Sequence, residues 1–302
     1  MPHPNASKEW SAQWYIDLER SAARALRERA SGASARCLGA QKNEVMDQIK
    51  RLLSIALCVS IWSPTFGQAA NSPARTYAVL SLVGDKISVV GHEAVTGSKM
   101  DRNRQGSIAM DNRALDTTAV LAAVNAIKRL DPGAATVPMT TNDSTLYELQ
   151  NQLFESQDKS VAALAALKES IQSQNATHLV LITKHRGDAL LRFANEYEGS
   201  GKIEGVGFYL DGSIRTRRSD TNAIGHGFLA PFAYIKVALI DARAMTVISE
   251  QNVEESIAQS TARAEGSLNP ADVLTAAQKA AALQTMIRRA IARVMPELLA
   301  AK

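Results

Sequence analysis

The chain has almost no cysteine. Its two, Cys37 and Cys58, stand ahead of residue 70, and so do its three tryptophans, Trp10, Trp14 and Trp62. Residues 70–302 can therefore form no disulfide and offer no thiolate, and they would fold alike in an oxidising or a reducing compartment. The same stretch has no excess of charge of one sign, with 25 Lys/Arg against 24 Asp/Glu. A near-neutral domain leaves no electrostatic footprint for nucleic acid, so none is expected as a partner. No strand candidate leads into G-x-G-x-x-G or G-x-x-x-x-G-K-[ST], the phosphate-cradling loops of nucleotide binders. The four histidines past residue 70, His92, His178, His185 and His226, contain no i, i+2 or i, i+4 pair and no H-E-x-x-H. His92-Glu93 is the nearest to a ligand pair, and adjacent residues on a strand face opposite ways. Neither a metal nor a cofactor is expected.

What is present begins forty-odd residues in. Lys50-Arg51 is followed by Leu52-Leu-Ser-Ile-Ala-Leu-Cys-Val-Ser-Ile-Trp62, then Ser63-Pro64 and the small-x-Ala ending Gly67-Gln68-Ala69. A basic run, a short apolar run and a small-residue cleavage site are the three parts of a secretory signal peptide. The apolar run falls well short of the roughly 20 residues a spanning helix needs. We therefore expect 46–69 to be a cleaved signal peptide with Met46 as the start, and the periplasm as the destination. The alternative is an uncleaved segment anchored in the inner membrane, the one case in which membrane association is expected. Lipidation at Cys58 is disfavoured, since Leu57 precedes it and the apolar run continues past it. Residues 1–45 read as a non-native or disordered extension, although 7–20 has the makings of a short amphipathic helix.

Past residue 70 the pattern alternates between β-rich and helical segments. Thr76–Val83 and Lys86–Val90, split by Gly84-Asp85, read as a hairpin. Residues 91–112 read as a loop or one more short strand. Asp116 is a candidate N-cap for a helix from Thr117 to Leu130, where Val120, Leu121, Val124 and Ile127 recur at helical spacing. Ala134–Thr140 reads as a short strand, with Pro138 pointing to a sheet edge. Helices are expected from Asp143 or Ser144, and from Ser160 to Gln172. Thr177–Thr183 is a continuous apolar run, as expected of a central strand covered on both faces. Residues 187–230 are rich in glycine and read as a partly β insertion. Phe232–Asp241, the turn 242–245 and Thr246–Ser256 form a firm hairpin. Pro270 after Asn269 is placed to start a long last helix, with Leu283, Ile287, Ile291, Val294 and Leu298 as its apolar stripe. The expected class is α/β (α+β): a mixed β-sheet with packed helices, in a single domain over 70–302.

This order, together with Tyr77-Ala-Val-Leu-Ser-Leu82, Asn175-Ala-Thr-His-Leu-Val-Leu-Ile182 and Val237-Ala-Leu-Ile-Asp241 ahead of Val247-Ile-Ser249, resembles the CsgG-like periplasmic domain family. That group comprises the curli secretion component and related envelope lipoproteins. The resemblance is one of pattern over most of 76–300, and it implies a fold and a compartment. The chain has Ala242-Arg-Ala-Met245 where the family turn holds Thr-Gly, lacks the lipidated cysteine, and shows no recognisable pore hairpins in 187–230.

Candidate sites are few. Lys184-His185-Arg186 leaves the end of the central strand, where ligands of open α/β sheets often bind. Alternation puts Lys184 and Arg186 on one face and His185 on the other, so two cations could hold an anionic group such as phosphate or carboxylate. His226 lies in the Gly-rich stretch beside Asp220 and the serines 213 and 219, but no nucleophile elbow frames them. No catalytic residue is expected. The aromatics of Gly205–Gly212 and Gly227–Tyr234 would form an interaction patch if exposed, and a cap on the sheet if buried. The reading is an exported cell-envelope protein, non-enzymatic, that contacts a protein partner or itself through 187–230. In its self-associating form, any exposed part of the last helix's stripe would add contacts. The alternative is a periplasmic small-ligand binder or hydrolase built around Lys184, His185, Arg186 and His226.

Overall fold

A computed structural model describes residues 75–92, 103–110, 112–154, 158–193, 196–217, 222–263 and 269–301. Ala74–Lys302 is one compact unit, distinct from Met1–Pro73. The signal segment and the extension ahead of it lie outside the described residues.

The strands follow one another as β1 Thr76–Ser81, β2 Lys86–Gly91, β3 Arg104–Ala109, β4 Ala135–Pro138, β5 His178–Lys184, β6 Arg186–Asp188, β7 Leu191–Phe193, β8 Glu196–Glu198, β9 Lys202–Arg217, β10 Ile224–Asp241, β11 Thr246–Ser256 and β12 Gln259–Ser260. The helices are α1 Ala114–Leu130, α2 Ser144–Leu149, α3 Asp158–Ser173 and α4 Ala276–Ala300. Ten strands form one mixed sheet and β7–β8 a separate ribbon. The α+β class is thus as the pattern indicates.

The sheet is organised by β10, 18 residues long and so roughly 60 Å from end to end. Its last seven residues pair with β5, and Ile224–Tyr234 pair with β9. β11 and β12 occupy the opposite edge. β5 and β9 therefore lie end to end along one edge of β10. Beyond them β1 pairs in parallel with β5, and β2 in parallel with β9. β4 and β3 form the outermost row. A seam thus crosses the sheet between β1 and β2 and between β5 and β9, and β10 runs through it unbroken, with the end of β11 beside it reaching past the break.

This geometry corrects the first hairpin. β1 and β2 are both strands, but they do not pair. Both run opposite to β10, so the chain crosses the seam at Leu82–Asp85 without reversing. The amides of Val83 and Gly84 donate to the Asp116 carboxylate instead of closing a turn. Asp116 is accordingly no N-cap: α1 begins two residues earlier, with Arg113 at the cap, and Asp116 is buried in its first turn. Asp143 does cap α2, accepting from Thr145 N at 2.8 Å.

The Gly-rich stretch 187–230 is no appendage, because β9 and the first part of β10 are rows of the main sheet. Its glycines serve close approach. A Cβ on Gly207 would fall 2.0 Å from the Ser88 carbonyl oxygen of β2, so only glycine lets these strands pack at this register. Pro231 sits inside a paired strand for a reason that can be stated. Its carbonyl accepts from Ile257, in the gap between β11 and β12, so its missing N–H faces the same gap and breaks no ladder bond.

Apolar residues fill both faces. Ala78, Leu80, Leu82, Leu179, Leu181, Ala238 and Ile240 pack against Leu146, Tyr147, Leu153, Leu167 and Ile171 of the α2–α3 region. On the same face of β10, Phe228, Phe232 and Tyr234 cluster with Tyr209, Leu191 and Ile203. The aromatics of Gly205–Gly212 and Gly227–Tyr234 therefore cap the sheet and form no exposed patch. α1 and α4 touch each other, β1 and β10. Pro270 starts only a short 3-10 turn. The long helix begins afresh at Thr275, whose hydroxyl and the Gln278 amide form a capping box. Its stripe from Leu283 to Leu298 is buried throughout, which leaves it no role as an oligomer contact. Among the described residues no helix is long and apolar enough to cross a membrane.

Candidate functional site

The seam gathers several buried polar groups of the domain, Ser81, Asp116, Gln150, Thr183 and Lys184. It lies at the carboxyl ends of the parallel strands β1 and β5, the place where open α/β sheets leave crevices. Two clusters share it.

The first is closed. The Asp116 carboxylate accepts from Ser81 Oγ at 2.8 Å, from the amides of Val83 and Gly84 at 3.0 Å each, and from Tyr147 Oη at 2.7 Å. Arg113 lies 4.6 Å from the Tyr147 ring centre, in range of a cation–π contact. Burial raises the Asp116 pKa above the usual carboxylate value, and the four donors work against that rise. Burial also raises the Tyr147 pKa, reinforced by its bond to Asp116. A Cβ on Gly84 would come within 2.6 Å of the carboxylate, so the residue must be glycine. Sequence reading missed this node. An acid in the first turn of a helix looks like a cap, and nothing local shows that β1 ends against it.

The second cluster is open. Lys184, only 5% exposed, donates from Nζ to Asp85 Oδ1. Its stem packs against Gly205, where φ is +74° and a Cβ would crowd the lysine side chain. Burial lowers the Lys184 pKa, and Asp85 opposes the shift. The Lys184 amide donates to Gln150 Oε1 at 2.8 Å. Next to it, a cavity of about 320 Å³ opens between β2, β3 and the start of β9. Lys86, Lys184, Arg186 and Lys202 bring four positive charges to its lining, and Glu204 one negative. Serine and glutamine complete its polar walls: Ser88 Oγ donates to the Glu204 carbonyl at 3.0 Å, and Gln105 Nε2 to the Lys202 carbonyl at 3.3 Å.

Of the four expected site residues, Lys184 and Arg186 line this cleft. His185 turns away, with Nε2 3.4 Å from Glu254 Oε1 across β10. His226 is not part of the group. It pairs with Arg215 far along β10, eight residues from Tyr234 at the seam, or roughly 25 Å. The cause is topological: residues 187–223 carry the chain out and back along β10, so nearness in sequence to Phe232 does not become nearness to Lys184. Lys86 and Lys202 were not singled out, because they reach the cleft only through the pairing of β2 and β6 with β9.

A Ser–His contact does occur elsewhere. Ser200 Oγ lies 3.0 Å and Tyr209 Oη 3.3 Å from His92 Nδ1, at a turn flanked by Gly199 and Gly201, both with positive φ. These bonds tie the turn before β9 to the end of β2. No group of three or more His, Cys, Asp or Glu placed to hold a metal occurs among the described residues.

No protein-family model matches the chain, and no curated protein does. Among solved structures, it is similar to the PelC dodecamer from Paraburkholderia phytofirmans, at 11% identity over 74% of this chain and 89% of that one, with a TM-score of 0.26. It is also similar to a DUF330 protein from Xanthomonas campestris, at 10% identity over 76% and 85% of the two chains, with a TM-score of 0.32. A third is the lipoprotein GNA1162 from Neisseria meningitidis, at 10% identity over 64% and 88%, with a TM-score of 0.24. Likeness at this level bears neither on what this chain does nor on how it assembles.

Proposed function

We propose that the chain is an exported bacterial cell-envelope protein with a CsgG-like domain, and that it acts by contact with a protein partner or a second copy of itself rather than by catalysis. Export to the periplasm is supported by the three-part segment 46–69 and by the absence of cysteine after it. The interaction role is carried by one observation. The ribbon β7–β8 stands outside the main sheet, and on and beside it Tyr197 and Leu190 are 68% and 53% exposed, in a segment where Phe208, Tyr209 and Phe228 are fully buried and Phe193 half-buried. Exposed tyrosine and leucine on a short ribbon are the kind of anchor that protein interfaces use.

The test is N-terminal sequencing and chemical cross-linking of the protein from fractionated native cells. A terminus at Ala70 in the periplasmic fraction, and a discrete cross-linked species that Tyr197→Ser abolishes, is the expected result. A terminus at Met1 in the cytoplasm would overturn export. A cross-link indifferent to Tyr197→Ser would overturn the ribbon as the contact surface.

A second reading, a small-ligand binder at the seam, is favoured by the cleft beside Lys184. Its hydrolytic form loses support, since His226 does not join Lys184 and Arg186.

A further inference from the structure

We infer that the acidic strand β8 of one copy's ribbon docks onto the basic end of the β9–β10 hairpin of a second copy. The inference rests on the reading of the ribbon as a contact surface, and it adds the partner and the surface that receives it.

The receiving surface is the far end of the two longest strands. β2 pairs with β9 only as far as Leu210, and β12 reaches β10 only at Phe228. Beyond those points, among the described strands, Arg215–Arg217 and Ile224–His226 pair only with each other. Residues paired across strands, and residues two apart on one strand, share a face. Arg215, Arg217, Ile224 and His226 therefore stand together. The opposite face is taken: the Thr216 hydroxyl bonds that of Ser260, and a Cβ on Gly225 would strike Thr261 and Ala262. The first face is bare. All four of its residues are exposed, Ile224 by 52%. Neither arginine forms an ion pair or a side-chain hydrogen bond among the described residues.

The ribbon carries the complement at the same pitch. β7 is tied down on its far side, where the Arg192 amide donates to Ser256 Oγ at 3.0 Å and its carbonyl accepts from the Ala258 amide at 2.8 Å. β8 is thus the outer strand, and among the described residues its other edge meets no strand. Glu196 and Glu198 lie two apart on it and share a face, about 6–7 Å from each other, as Arg215 and Arg217 do on β9. Two carboxylates can then meet two guanidinium forks in one register. Neither glutamate forms an ion pair among the described residues. Tyr197 lies between them on the other face of β8, so an approach along the free edge meets the acids on one side and the ring on the other. Ile224 offers such a ring apolar surface beside the arginines. A second copy is the partner because it brings this complement with it: each set lacks the charge that the other supplies. Exposed ion pairs are individually weak, so the contact should be modest in affinity and sensitive to salt.

The experiment is sedimentation velocity of the purified full chain at low ionic strength, with charge reversal on either surface. The wild-type chain should associate, and high salt should reverse it. Arg215→Glu/Arg217→Glu and Glu196→Arg/Glu198→Arg should each weaken the association about tenfold or more. Mixed in equal amounts, the two variants should recover it, because a reversed hairpin then meets a reversed ribbon. The four positions lie at or near the surface, so the variants are expected to fold, and an unchanged melting temperature checks it. A wild-type chain that stays monomeric, association unmoved by Arg215→Glu/Arg217→Glu, or a mixture that stays dissociated would each overturn the docking. The ribbon reading fails separately. A monomer here, together with a cross-link in native cells to a different protein that Tyr197→Ser abolishes, would keep the ribbon as a contact surface and sink only the second copy.

Discussion

The two polar clusters on the seam are a few residues apart, and they use charge in opposite ways. Around Asp116 every partner is internal: two amides, a serine and a tyrosine surround one carboxylate. In the cleft the charges pair nearer to solvent: Lys184 with the part-exposed Asp85, and Lys202 with the exposed Asp188. The first arrangement has nothing left to offer a ligand and much to lose if one member is removed. The second should lose little when an exposed rim member such as Asp188 is removed, and more when Asp85 is, because Lys184 is buried. The difference teaches that burial of charge does not by itself mark a functional site; the charge must also be reachable.

Mutations can break or sharpen this contrast. Asp116→Ala should have the largest effect, about 3 kcal/mol of lost stability, because it strands two amides and two hydroxyls at the chain's crossing of the seam. Urea denaturation reads it directly. The raised pKa sets the sign of the pH effect. A carboxyl whose folded pKa lies above its unfolded value contributes stability that is present below pH 3.8 and lost as pH rises through the folded value. Next, Asp85→Ala should cost roughly 2 kcal/mol by leaving the buried Lys184 cation without its partner, and adding Lys184→Met should recover most of the loss. Failure of the double variant to recover would show that the ion pair does more than neutralise itself. Thr183→Val is expected to be neutral or to stabilise by about 1 kcal/mol, since the Thr183 hydroxyl is buried without a hydrogen-bond partner. Arg186→Gln should move the melting temperature least of all, within the range of surface substitutions.

A pH titration adds an independent control away from the seam. Burial pushes Lys279 of α4 down to about 8 from 10.5. A depressed lysine binds its proton more weakly in the fold than in the unfolded chain. Its contribution is therefore fully present above pH 10.5 and lost as pH falls through about 8. Stability should rise across that window, and Lys279→Met should flatten the rise.

Much of the architecture was legible. Thr177–Thr183 announced a central strand because Leu179–Ile182 is a continuous apolar run, and that run is buried on both faces. The stripe Leu283, Ile287, Ile291, Val294 and Leu298 gave α4 because a 3.6-residue period needs no distant partner to be seen. The hairpin at Ala242–Met245 was readable for the same local reason. The seam was not, because it exists only through pairings between residues about a hundred apart, such as Tyr77 with His178 and Ser88 with Gly207. Half of the site followed suit. Lys184 and Arg186 stand on one strand exit and could be paired by alternation, whereas Lys86 and Lys202 join them only after β2 meets β9. Glycines 205, 207, 225 and 227 pointed to loops by composition. Their meaning is steric, set by a neighbour distant along the chain: the backbone of Ser88 for Gly207 and of Asp211 for Gly227, the Lys184 stem for Gly205, and the turn at Thr261–Ala262 for Gly225.

The unbroken passage of β10 through both halves has a consequence in time as well as in space. Until residues 224–241 exist, β5 and β9 have no shared edge to line up on, and the seam has no frame. Late arrival of the organising strand and pairings of long sequence separation both slow folding. A chain built this way should remain open for most of its synthesis and then close in one cooperative step, with the amides of β10 the last to exchange with solvent once it has closed.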